Sequence, residues 1–114
     1  MSVKLTTRKV GDVTVIDAVG RITLGEGSSS FRDTVRDLAA KGDRKLLLNL
    51  AEVTYIDSSG IGELVSAFTT VTNQGGQLKL LHLTKRIEDL LQITKLYTVF
   101  EVFDDEAAAV RSFS

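Results

Sequence analysis

The sequence predicts a mixed α/β fold: a single β-sheet that opens with an antiparallel hairpin, continues with parallel strands, and carries amphipathic helices. Three observations predict it. Two apolar, β-rich segments stand close together at the start, separated by a glycine turn. After them, short apolar runs alternate strictly with stripes of helical period. Glycines and capping residues punctuate most of the junctions.

The elements follow in order. Residues 3–9 alternate, with Val3, Leu5 and Thr7 on one face. Gly11-Asp12 is a turn, and residues 13–19 are β-branched and apolar, so the short connection makes a hairpin. Gly20 breaks the run, and Arg21-Ile22-Thr23 reads either as a short third strand or as an extended continuation. Gly25-Glu26-Gly27 reads as a turn before a helix. Ser28, Ser29 and Ser30 are candidate N-caps, Ser30 with Asp33 three residues on. Phe31, Val35, Leu38 and Ala39 then form one apolar stripe, which Gly42 ends.

Residues 45–50 suit a strand covered on both faces. Residues 53–56 lead into Asp57-Ser58-Ser59-Gly60, and Ile61, Leu64, Val65, Phe68, Val71 and Thr72 trace an amphipathic helix that begins near Ser59 and stops at Gly75-Gly76. Residues 77–83 form another strand, and Thr84 caps a third helix with Ile87, Leu90 and Leu91 inward. Phe100-Glu101-Val102 is the expected last strand, and Asp104-Asp105-Glu106 places acid at the start of a short C-terminal helix, where the dipole favours it. Strand–helix alternation implies parallel strands joined by right-handed crossovers.

At 114 residues the chain is the size of one domain, 1–114, without an internal repeat. Its 14 Lys+Arg against 15 Asp+Glu give a net charge of -1, which argues against a nucleic-acid groove and a polybasic membrane anchor. It has 0 Cys and 1 His, so disulfides, thiolate chemistry and Cys-ligated zinc are excluded and a His-rich metal site is nearly so. No leader segment and no apolar run of membrane-spanning length is written in it. The expectation is a cytoplasmic, non-enzymatic domain with no cofactor, no metal, no nucleic acid and no membrane partner.

Asp57-Ser58-Ser59-Gly60 is the most informative stretch. It falls at the carboxyl end of a strand, where α/β folds gather functional groups, and at a helix N-terminus with unpartnered N–H groups. Such a place suits a phosphate. Capping alone also accounts for Asp and Ser there, at about 1 kcal/mol. The pair Gly60 and Gly62 is unusual, since glycine costs about 0.8–1.0 kcal/mol relative to alanine inside a helix. It suggests that something approaches that surface closely.

The stretch Tyr55-Ile56-Asp57-Ser58-Ser59-Gly60-Ile61-Gly62-Glu63-Leu64 resembles the signature of the STAS-domain anti-sigma factor antagonists. The opening hairpin, Gly20-Arg21-Ile22, Leu46-Leu47-Leu48-Asn49-Leu50, and Gly75-Gly76 before Leu78-Lys79-Leu80 follow in the order of that family. The resemblance implies a STAS-like mixed sheet and a partner-switching role. The unmodified antagonist captures an anti-sigma factor that is also a Ser/Thr kinase, and so frees the sigma factor. The kinase phosphorylates the serine after the aspartate, and a phosphoprotein phosphatase reverses it. Carried over, Ser58 is the phosphoacceptor, Asp57 its acidic neighbour, and Ser59, Gly60, Ile61 and Gly62 the docking surface. The family's Gly-Glu-Leu-Asp stretch is Gly20-Arg21-Ile22-Thr23 here, so Arg21 and Thr23 replace two carboxylates at the partner-binding edge. Arg21 then faces an acidic partner patch, a phosphate on Ser58, or solvent. A STAS adaptor of a stressosome or a lipid-transport complex keeps the fold and changes the partner.

Weaker signals have plainer readings. Gly25-Glu26-Gly27 lacks the Gly-Lys-Ser/Thr of a phosphate-binding loop. His82 is a structural histidine and Lys85-Arg86 a solvated basic pair. A receiver-like phosphoacceptor at Asp57 lacks the acidic pair that holds Mg²⁺. A hydrolase at Ser58 or Ser59 lacks a Gly-x-Ser-x-Gly elbow.

Overall fold

The structure is a computed structural model and describes residues 3–23 and 26–113. Strands β1 (Val3–Val10) and β2 (Val13–Ile22) form the antiparallel hairpin, with Val10 opposite Val13 across a turn that holds Gly11 at φ 64. Helix α1 (Glu26–Ala40) leads to β3 (Lys45–Ile56), α2 (Ser58–Asn73) to β4 (Gln77–Leu81), and α3 (Lys85–Ile93) to β5 (Val102–Phe103), before α4 (Glu106–Ser112). The five-stranded sheet has the order β1-β2-β3-β4-β5, and every pairing after the hairpin is parallel, as the alternation predicts.

Arg21 and Ile22 continue β2 rather than start a third strand, pairing with Tyr55 and Ile56 of β3 after register shifts on either side of Val19 and Gly20. The two apolar runs of β3 are one strand, because exposed Ala51 and Glu52 interrupt the burial pattern without interrupting the chain direction. Three expectations need correction. Helix α1 begins at Glu26, so Glu26 and Gly27 are helical and Ser28, Ser29 and Ser30 lie inside the helix rather than capping it. Serine costs no more than about 0.7 kcal/mol relative to alanine inside a helix, so a serine run does not by itself locate the boundary. Gly25 lies outside the described residues. Strand β4 stops at Leu81, where His82 turns the chain at φ 58. Strand β5 is Val102–Phe103, because Phe100 is drawn into the core, its ring edge-on to Phe68 at 5.4 Å.

Alternation along the strands separates two apolar layers. Ile16, Ala18, Leu46, Leu48, Leu50, Leu78 and Leu80 face α1, α2 and α3, whose Phe31, Val35, Leu38, Ile61, Leu64, Val71, Ile87 and Leu91 complete the main core. Val13, Val15, Leu47 and Leu81 face the other way and pack with Ala109 of α4. That smaller layer is reinforced by charge. Arg8 donates to Asp17 at 2.7 Å and to both oxygens of Glu106 at 2.9 and 2.6 Å. Lys79, only 4% exposed, lies under α4. Its Nζ donates to the Ser112 carbonyl and hydroxyl at 3.0 and 2.9 Å, and sits 4.7 Å from the Phe113 ring centroid and 3.3 Å from the Glu101 carboxylate. Both sheet edges are guarded: β1 carries exposed Lys4, Arg8 and Lys9, and β5 is two residues long.

Candidate functional site

The site grows from the end of β3. Ile56 is fully buried, and the chain leaves it through Asp57 in extended conformation, φ -106 and ψ -174. The Asp57 carboxylate then accepts a hydrogen bond from the Gly60 amide at 2.9 Å, and the Ile61 amide donates to the Asp57 carbonyl at 3.0 Å. These bonds start α2 at Ser58. The Asp57 amide also donates to the Ile22 carbonyl at 3.4 Å, which docks the turn on the end of β2.

Gly60 and Gly62 have different reasons. A Cβ at Gly60 would lie 2.4 Å from the Ile22 carbonyl oxygen and 2.5 Å from Ile56 Cγ1, so the close approach inferred from sequence comes from within the domain. A Cβ at Gly62 would meet nothing within 4 Å among the described residues. Gly62 is exposed and stands one helical turn after exposed Ser58. Side chains on a helix lean toward its N-terminus, so any side chain at 62 would reach back toward the Ser58 hydroxyl. Glycine keeps that approach clear.

The docking surface expected from Ser59, Gly60, Ile61 and Gly62 is therefore narrower. Gly60 and Ile61 are buried, Ile61 at 4% exposure within the main core, because the first turn of α2 presses on β2 and β3. Ser58 and Gly62 are exposed, while Asp57 and Ser59 are half-buried. Thr23, half-buried, and Arg21, exposed, sit at the neighbouring end of β2. With the Asp57 carboxylate engaged at Gly60, Ser58 stands exposed at the N-terminus of α2, where an anion is favoured.

Sequence reasoning missed Tyr55. Its ring, half-buried, has the Arg21 guanidinium 5.0 Å and the Arg86 guanidinium 4.1 Å from its centroid. The basic pair Lys85-Arg86 is thereby split: Lys85 pairs with Asp89 one turn on at 3.1 Å, and Arg86 turns to Tyr55. Among the described residues, no three His, Cys, Asp or Glu side chains cluster as metal ligands. None of the described helices is long and apolar enough to cross a membrane.

A mixed sheet that opens with a hairpin and carries an exposed serine at the head of its second helix defines a small α/β domain of mixed-sheet class. The family model of the STAS domain matches residues 4–109, and the chain belongs to that family. Among its relatives is the anti-sigma-B factor antagonist of Bacillus subtilis (strain 168), 38% identical over 72 residues, or 63% of this chain and 65% of that protein, slightly under two thirds of its length. The solved structure of an anti-sigma factor antagonist from Mycobacterium paratuberculosis superposes with a TM-score of 0.86 over 98% of this chain and 94% of that one, at 15% identity. The Bacillus cell fate determinant SpoIIAA, solved in its phosphorylated form, does so with a TM-score of 0.74 over 95% and 97%, at 17% identity. The two superpositions establish the same fold.

Proposed function

We propose that this protein is a cytoplasmic anti-sigma factor antagonist. Its unmodified form binds an anti-sigma factor with Ser/Thr kinase activity and releases the sigma factor. Phosphorylation of Ser58 ends that binding, and a phosphoprotein phosphatase restores it. The observation that carries this reading is the exposed Ser58 hydroxyl at the first position of α2, with Gly62 clearing the approach. Kinship with the Bacillus subtilis antagonist supports it, as does the existence of a protein of this fold in phosphorylated form.

The switch follows from local electrostatics. A phosphate on Ser58 adds about -1.5 to -2 charges. The N-terminus of α2 favours that charge, so the domain keeps its fold. A partner surface fitted to a neutral hydroxyl does not favour it: the dianion must be desolvated next to the Asp57 carboxylate. A penalty of roughly 2–5 kcal/mol weakens binding about 30- to several-thousand-fold. Arg21, Thr23, Asp57, Ser59 and Gly62 form the accessible surround of the contact, and buried Gly60 and Ile61 set its shape from beneath.

Capture from native cytoplasm with wild type, Ser58→Ala and Ser58→Asp tests this. Mass spectrometry should find a kinase-fold partner with wild type and Ser58→Ala and lose it with Ser58→Asp. Equal recovery of such a partner by all three overturns the switch. A stressosome or lipid-transporter component recovered equally by all three supports the adaptor role instead.

A further inference from the structure

Three elements converge on one ring, three residues before Ser58 in the chain. Tyr55 is the penultimate residue of β3, Arg21 lies opposite it on β2, and Arg86 reaches it from the first turn of α3. The guanidinium carbons stand 5.0 and 4.1 Å from the ring centroid, so they are no further apart than the sum of those distances. Both arginines are exposed, and among the described residues neither makes an ion pair. The contrast with their surroundings is direct: Lys85 is neutralised by Asp89 and Arg32 by Glu63. Two like charges gathered around one aromatic ring repel each other, and the ring quadrupole offsets only part of that. Their five-donor forks remain available for oxygen anions, and stacking on the shared ring lowers the ordering cost of using them.

We infer that Arg21 and Arg86, stacked on Tyr55, form a second anchoring point that receives side-chain carboxylates from an acidic segment of the protein partner docking at Ser58. The inference rests on the partner-switching reading for its partner and adds the chemistry of that partner's surface. Carboxylates fit because the clasp is doubly cationic and forked. The β2 and β3 ends that hold the cationic pair also carry the turn into Ser58, so a partner bearing acid on one side of its hydroxyl-contacting surface is seated in a single register. Such charges act mainly on association rate and on partner choice.

Two measurements test it. In the first, the side-chain Nε–H signals of isotopically labelled full chain are followed by NMR while hexaglutamate peptide is added at low salt. Shifts should concentrate at Arg21 and Arg86 and vanish in R21Q/R86Q. Shifts spread equally over Arg36, Arg44 and Arg111, or inorganic phosphate bound as tightly as the peptide, overturn the clasp. In the second, the partner recovered with wild type is titrated with R21Q/R86Q and with R21K/R86K. R21Q/R86Q should bind at least about tenfold more weakly, mostly through slower association, and the deficit should shrink near 1 M salt, where screening acts over roughly 3 Å. R21K/R86K, which keeps the charge and loses the fork, should fall between. An unchanged affinity in R21Q/R86Q overturns the clasp even if Ser58→Asp abolishes binding. Retained binding in Ser58→Asp together with a loss in R21Q/R86Q overturns the switch and keeps the clasp. If no partner is recovered, the peptide titration alone decides.

Discussion

On one face of the sheet, α1, α2 and α3 cover a continuous apolar layer that runs from Phe31 through Leu48 and Leu64 to Leu91. On the other, α4 offers Ala109 to Val13, Val15, Leu47 and Leu81, and is tied down by Arg8, Glu106 and the buried Lys79. The first face is held by area removed from water, which responds weakly to pH and salt. The second depends on ions that titrate and are screened. The expected consequence is a side of the sheet that opens only when the domain unfolds and a side that acid loosens first. Ser58 heads a helix on the first side, so its presentation is independent of the ionic latch.

The largest expected effect breaks the area-held face. Phe31 is fully buried among the main-core residues, and Phe31→Ala should cost about 3–5 kcal/mol in denaturant unfolding of the whole domain. A loss below about 1 kcal/mol would erase the contrast between the faces.

The next effect separates them by pH. Hydrogen bonds from Arg8 hold the Glu106 and Asp17 carboxyls below their ordinary range, and the same bonds raise Arg8. A carboxylate depressed in the folded state contributes stability above its unfolded pKa and loses it as pH falls through the folded value. Acid should therefore loosen α4, from about pH 4 downward, before the main core unfolds. The partners are partly exposed, with 41% of the Arg8 side chain and 35% of the Glu106 side chain accessible, so the pair contributes only about 1 kcal/mol. Hydrogen exchange at the Ala109 amide should accelerate on acidification in wild type, and Glu106→Gln should flatten that response. Equal acid sensitivity in both would assign the latch to apolar contact instead.

The smallest effect sharpens the comparison. Thr14, 3% exposed on β2, has a hydroxyl with no hydrogen-bond partner among the described residues. By alternation it shares the side of Ile16 and Ala18, so it is a polar flaw on the apolar face. Thr14→Val should raise stability by about 1 kcal/mol, read as a higher midpoint in denaturant. A decrease would mean that the hydroxyl is satisfied.

Local patterns made much of this visible in the sequence. The hairpin follows from Gly11 between two β-rich runs, the parallel strands from alternation, and the start of α2 from Asp57 three residues before Gly60, the donor it caps. What escaped was long-range. Tyr55 looks like the end of a strand, and the cations that flank it arrive from 34 positions earlier and 31 later. Lys79, between two leucines in a strand, has the pattern of a solvent-facing residue, and only the return of α4 buries it. Gly60 and Gly62 are alike in sequence, yet one is required by the Ile22 carbonyl and the other borders open solvent.

Strand order along the sheet equals order along the chain. During synthesis each new strand after the first emerges later than a strand it pairs with, so the topology allows the sheet to lengthen one rung at a time from its N-terminal hairpin. No strand waits for a distant pairing mate, and a nascent chain halted after β3 already has the β2 end on which the Ser58 turn will settle.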